Sequence, residues 1–349
     1  MRALIQRFHR DERGVSMVLM AFALVGFLGF AAIVVDLGNG WRNRRALIPG
    51  TDAAALAAAQ DRVDGLSEAA ACTTAQSYLG FNAPTATMAG SNAPCPVFSG
   101  TADRGWVEVQ ATVSSEAWFS RVLGFNDFDV DSATLAAWGT PTFVNGMRPM
   151  GLCLAGSSAL QAMAANPPTS PTTLVIPYDY TQPDPCGGVP GNWGYIDFDG
   201  GPSPSGELED RIEFGATEQV YFGDDAPGAC PFGEQHCYSM RSGTAAANIR
   251  DELDYLVNND IIFVLPIFDY AEPDPTGIPP GTVFKAHIMG IIRVELQGYN
   301  ILGAQSTHYF EFLVQPGVVD GGCCDGGGNA VGSKAIAICG VDPGDSSDC

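Results

Sequence analysis

Residues 15–35 form an unbroken apolar run that starts at Val15, stops at Val35 and holds no charged side chain. A helix needs about 20 such residues to cross the hydrocarbon core, where no water can satisfy its backbone groups. Arg2, Arg7, Arg10 and Arg13 precede the run, alongside Asp11 and Glu12. Basic flanks stay cytoplasmic, so the expected topology is a short cytoplasmic stub, one transmembrane helix and an extracytoplasmic bulk in the cell (inner) membrane. A cleaved secretory signal is the competing reading. Its apolar region spans about 7–15 residues before a small-x-small site. This run is longer and ends Ile33-Val34-Val35-Asp36, so a retained anchor is expected.

Formal net charge is −22 over 349 residues, and Lys285 and Lys334 are the lysines. A field of that sign repels phosphate backbones and excludes nucleic acid as a partner class. With 42 Gly and 24 Pro, the exported part is expected to be a loop-rich mixed α/β region, an α+β fold, rather than a helical bundle. All the cysteines follow the apolar run: Cys72, Cys95, Cys153, Cys186, Cys230, Cys237, Cys323, Cys324, Cys339 and Cys349. An even number on the exported side predicts structural disulfides formed in an oxidising compartment. Proximity favours Cys72–Cys95, Cys153–Cys186 and Cys230–Cys237, with the last four pairing within the tail. Adjacent Cys323 and Cys324 bond each other only with strain, so each is expected to pair elsewhere. Six residues separate Cys230 from Cys237, too many for a zinc knuckle, which wants ligands two to four apart.

Along the chain, the first helix should continue through Trp41, Arg42, Arg44 and Arg45, residues suited to the outer headgroup layer. Pro49-Gly50 is expected to interrupt or kink it. Thr51 or Asp52 would then cap a second, Ala-rich helix over residues 53–62, whose small side chains admit a close neighbour. Gly65 ends that helix, and Ser67 opens another that Gly80 stops. Period-two alternation predicts strands over residues 106–113 and 128–135. Between them, residues 115–123 read as a short amphipathic helix with Trp118, Phe119, Val122 and Leu123 inward.

These features come in a telling order: Arg13-Gly14-Val15, apolar run, Val35-Asp36-Leu37-Gly38, Arg44-Arg45, then Asp52 and an alanine tract to Ala59. That order resembles the N-terminal module of TadE/TadG-like Flp pilus-assembly proteins. The segment Trp118-Phe119-Ser120-Arg121-Val122-Leu123-Gly124, followed by Val130-Asp131-Ser132-Ala133-Thr134, is similar to the strand–helix–strand that follows in that family. The resemblance spans about the first 140 residues. Pseudopilins of such systems are cut after a Gly and carry Glu five residues on; here Leu19 stands there, so such processing is not expected. The Asp-x-Ser-x-Ser motif of the von Willebrand A domain found in many TadG-like proteins is missing, so that domain and its Mg²⁺ are expected to be absent.

The expected domains are therefore a stub (1–14), the helix (15–35), a Tad-like module (36–140), an α+β domain (141–315) and a Gly/Asp/Cys-rich tail (316–349). Residues 172–178 and 261–268 read as buried strands, and residues 282–298 and 307–314 as a hairpin. Ile249, Leu253, Leu256 and Val257 form a core-facing helical stripe. Asp179-Tyr180-Thr-Gln-Pro183-Asp184-Pro185 recurs at an offset of ninety as Asp269-Tyr270-Ala-Glu-Pro273-Asp274-Pro275. Two related helix–strand–loop–strand units are the expectation. Ca²⁺ needs six to eight oxygens, more than either acidic loop offers, so the loops read as rigid turns. In the tail, residues 333–339 are expected to add an edge strand.

No catalytic constellation emerges. His9, His236, His287 and His308 stand apart from any nucleophile elbow or His-Glu-x-x-His helix. Glu207 and Glu213, at i and i+6, lie on different helix faces. The expectation is a non-enzymatic protein with no catalytic residues, cofactor or metal. The resemblance implies a role in assembling or anchoring a Flp-type pilus, with other pilus-assembly membrane proteins or pilins as partners and one helix in the bilayer. The alternative is a membrane-anchored surface binding or adhesion module unrelated to pili.

Overall fold

The apolar run lies in one helix that extends far past it. The computed structural model describes residues 2–124, 126–178, 186, 192–199, 205–223, 236–242, 249–273, 283–324 and 326–339. The chain opens with α1 (Arg2–Val63) and α2 (Glu68–Asn82), then β1 (Thr87–Ala89), β2 (Val97–Gly100), β3 (Gly105–Ser115) and β4 (Phe128–Gly139). Next come β5 (Phe143–Val144), β6 (Met150–Cys153), α3 (Ser158–Ala165), β7 (Thr172–Pro177) and β8 (Trp193–Asp197). There follow α4 (Ser205–Phe214), β9 (Val220–Tyr221), β10 (Cys237–Ser242), α5 (Arg250–Asn258), β11 (Ile262–Pro273) and β12 (Val283–Asn300). Last are β13 (Tyr309–Val314), β14 (Gly317–Val318), β15 (Gly321–Gly322) and β16 (Ser333–Cys339). The fold is α+β: one long apolar helix, then a mixed, disulfide-bonded region.

Two compact units form. The first takes Met1–Ala55, Cys72–Val97 and Glu108–Thr134; the second takes Leu56–Ala71, Phe98–Val107 and Leu135–Cys349.

In the first unit, α1 runs through Pro49 without a break, so of the expected interruption or kink the interruption does not occur. Proline removes one backbone donor. Here a single buried stripe, Leu47, Thr51, Ala54 and Ala55, crosses the proline and holds both sides in one register. Thr51 is therefore no N-cap; its Oγ1 donates back to Ile48 O at 2.9 Å. A Cβ on Gly50 would stand 2.9 Å from Ala83 Cβ and 3.3 Å from Leu79 Cδ1. Such an approach of α1 to α2 is open only to glycine. Helix α2 passes Gly80, the expected stop, and ends two residues later, where Asn82 Nδ2 donates to Tyr78 O at 2.8 Å ahead of Pro84. Cys72 of α2 is bonded to Cys95. In the sheet, β1 pairs antiparallel with β3, Met88 opposite Ala111.

The amphipathic helix expected over residues 115–123 is a 3-10 turn at Ser120–Leu123. Trp118 and Phe119 point outward, 61% and 49% exposed, instead of inward. The segment is held by backbone hydrogen bonds to a carboxylate, described below, rather than by an apolar face.

In the second unit, α1 closes at Gly65 (φ +78°), with the Leu66 N–H reaching Asp61 O at 2.9 Å. Strands β10, β8, β6, β11 and β12 pair in that order, and β12 pairs back to β10, so the ring is closed. Closure leaves those strands no free edge. Beyond the ring, β12 continues to β13 and β7. Alternate residues of β11 face two cores. Phe263, Leu265 and Ile267 join Leu253 and Leu256 of α5, whereas Val264, Phe268 and Ala271 join Met240, Phe284 and Ala286. Burial on both faces makes β11 a continuous apolar run. Strand β7 was expected to be buried likewise, but its burial alternates and Val175 is 46% exposed, as suits the end of a sheet.

The expected hairpin is present as β12–β13. The order helix–strand–loop–strand occurs twice, as α3–β7–β8 and α5–β11–β12. Yet β11 and β12 are neighbours, while β7 and β8 are not. The expected echo therefore extends to element order and not to pairing. β16 is not the edge strand expected of the tail: it pairs with β4 through residues 335–339 on one side and with β14 on the other.

Candidate functional site

Helix α1 presents Asp36, Asn39, Asn43, Leu47 and Thr51 at steps of three or four, which places them on one face. In the first unit that face meets the end of β3, the turn after it and the start of β4. Asp36, 5% exposed, accepts the N–H groups of Trp118 (2.9 Å), Phe119 (3.2 Å) and Ser120 (2.6 Å). Three consecutive amides pointing at one oxygen pair make an anion nest, and here the chain's own carboxylate fills it. One and two turns on, Asn39 and Asn43 donate to Ser115 Oγ at 3.4 and 3.0 Å. Asn39 also donates to Glu116 O at 3.4 Å.

Higher on the helix, Thr51 Oγ1 lies 3.2 Å from Ser132 Oγ and 2.9 Å from Thr134 Oγ1. Thr134 donates to Asp52 Oδ1 at 2.7 Å. Ser132 and Thr134 occupy the inward positions of β4, where apolar residues are the norm. They are tolerated because each hydroxyl has a partner. Between these two clusters, Gly40 gives room to Phe128, whose Cε2 would sit 2.6 Å from an added Cβ. The turn itself is closed by Asp127, which accepts the Ala117 N–H at 3.2 Å and pairs with Arg121 at 2.8 Å. The Ala117 N–H, then Arg121, hold its carboxyl below the usual carboxylate range.

The result is a polar seam along one helix face. It leaves these carboxylates occupied by amides and hydroxyls, so its chemistry is positional. Sequence reading singled out Asp36, Asp52, the Trp118 turn and the Ser132–Thr134 stretch separately; the structure brings them together. It missed Asn39, Asn43 and Ser115. Their signal was available, because two Asn four apart in register with Asp36 break an otherwise apolar helix face.

Other candidate residues lie elsewhere. Cys153 is bonded to Cys186. Cys323 is paired with Cys324, against the expectation that each bonds elsewhere. Cys237 and Cys339 are also disulfide-bonded. Cys230 and Cys349 lie outside the described residues, as do residues 179–185 and 274–281 of the two acidic loops. Residues 269–273 belong to β11 rather than to a loop, and Asp269 Oδ1 stands 2.8 Å from His287 Nδ1. His308 is buried just ahead of β13. Glu207 pairs with Arg211 at 2.7 Å, and Asp199 with the same guanidinium at 2.9 Å. Asp197, Asp199 and Glu207 bring their oxygens close enough to share a cation, and Arg211 supplies it. Arg148, buried beside the Phe263 ring, has its pKa pushed down to about 10 by burial.

Helix and seam together define one N-terminal module, a long apolar helix bound to a strand–turn–strand. Among the described residues, one helix, Val15–Val63, is long and apolar enough to cross a membrane, and nearly all its side chains over residues 15–35 are exposed. Residues 14–61 match the Tad family model, described as Flp pilus-assembly TadE/G-like. The match takes in every helix residue of the seam and stops short of the strands that receive them. No curated protein and no solved structure matches the chain.

Proposed function

We propose that this chain is a membrane-anchored, non-enzymatic TadE/TadG-like component that assists assembly or anchoring of a Flp-type pilus. Residues 15–35 span the inner membrane with the N-terminus cytoplasmic and the disulfide-bonded bulk outside. The observation that carries the reading is the family match over residues 14–61, which includes Asp36, Thr51 and Asp52 of the seam. On this reading the seam holds the strand–turn–strand rigidly on the helix. The exposed apolar helix then packs laterally on pilins or other pilus-assembly membrane proteins.

Deletion of the gene tests it directly. Piliation and surface adherence should fall together, wild type should restore both, and Asp36→Ala should restore them poorly. Full piliation in the deletion strain would sink the proposal. A second reading, an adhesion module, is favoured by the larger second unit, most of which lies outside the family match. It requires adherence to drop on deletion in a background that makes no pili.

A further inference from the structure

The helix leaves the bilayer beside a groove. Val34, Leu37, Gly38 and Trp41 line one wall from α1, and Phe128 and Val130 line the other from β4, around a volume of 660 Å³. Leu37 is 68% exposed and Trp41 63%. With a rise of about 1.5 Å per residue, Trp41 stands roughly 9 Å beyond Val35, at headgroup depth. A second observation fixes the same depth. Asp36 ties down the backbone of Trp118 and Phe119, so two exposed aromatic rings sit level with the end of the apolar run. Aromatic residues favour that layer.

The charges at the rim are specific. Arg44, Asp129 and Asp131 border the groove, all are exposed, and none forms an ion pair or side-chain hydrogen bond among the described residues. Among the lining residues an anionic headgroup would gain one cation and face two carboxylates, while the nearby Arg45 guanidinium is stacked over the Trp41 ring. A zwitterion with a primary amine complements all three groups: its phosphate meets the guanidinium, and its ammonium donates to the carboxylates.

We propose that the groove seats one phospholipid bearing a phosphoethanolamine headgroup. An acyl chain lies along Val34, Leu37 and Phe128, the phosphate meets Arg44, and the ammonium meets Asp129 and Asp131. The proposal rests on the reading of residues 15–35 as a membrane anchor.

The test uses the full chain in nanodiscs of equal phosphatidylethanolamine, phosphatidylcholine and phosphatidylglycerol, with co-released lipid counted by native mass spectrometry. Wild type should retain phosphatidylethanolamine over the other two by roughly fivefold, the scale of headgroup-level charge contacts. The exposed pair Asp129→Asn with Asp131→Asn should erase the preference. Gly38→Trp places an indole in the groove, where an added Cβ meets nothing within 4 Å, and should abolish retention. Equal retention of the three lipids by wild type, or a preference that survives both variants, overturns the lipid seat. Carbonate extraction separates the underlying reading. A chain washed off membranes removes anchor and seat together, whereas a chain that stays and shows no preference removes the seat alone.

Discussion

Asp36 is the residue on which the turn at 118–120 depends, because three of that turn's backbone donors end on its carboxylate. Asp36→Ala should speed hydrogen exchange at the Trp118, Phe119 and Ser120 amides by about tenfold or more, leaving exchange in β12 unchanged. Unaltered protection at those amides would show that the turn is held by something else. Asp127 adds a pH dependence. Its folded pKa is depressed, so its contribution is complete above the usual carboxylate value and is lost as pH falls through the lower folded value. The Ala117 amide resonance should therefore titrate with a midpoint below 3.8, and Asp127→Asn should remove that titration. Asp36 could be picked out in the sequence as a carboxylate at the end of an apolar run. Its partners lie some eighty positions away, in a stretch whose aromatic residues mimic an amphipathic helix. Periodicity reports side chains, and this turn is fixed by main-chain amides, which leave no pattern in the sequence.

At the scale of elements, the long helix shows how tertiary packing outweighs a local breaker. Pro49-Gly50 reads as a stop, yet the buried stripe from Leu47 to Ala55 carries the helix through. What sequence reading took for a helix breaker at Gly50 answers a steric requirement imposed by Ala83 and Leu79. Gly50→Leu should cost about 1–3 kcal/mol by overpacking, seen as a lower thermal midpoint with helical content retained. A midpoint equal to wild type would refute the close approach. Strands were easier to read where both faces are apolar, as in β11. They were harder at β7, where a β-branched run sits at the end of its sheet.

For the whole molecule, the cysteines set the conditions for folding. None is free among the described residues, and Cys72–Cys95 ties residues 23 apart. Replacing both by Ser should cost about 2–4 kcal/mol, measured as a drop in thermal midpoint smaller than the one reducing agent causes in the wild type, where Cys153–Cys186 opens as well. An impermeant thiol probe applied to permeabilised cells should label the protein only after reduction. Composition announced a disulfide-bonded α+β fold, and the apolar run announced the long N-terminal helix. Closure of the ring was not legible, since it depends on β10 meeting β12, and nothing local in either strand encodes that meeting.

The place of β16 has a temporal consequence. On the proposed topology, Leu135 to Gly139 emerge on the far side of the bilayer well before Ser333 to Cys339, their neighbours in the sheet. Throughout that interval the nascent chain displays an unpaired β edge of Leu, Ala and Trp, the kind of template that recruits stray strands. Export on that topology thus calls for a guardian at the exit of the translocon, or for synthesis fast enough that the missing strand arrives first.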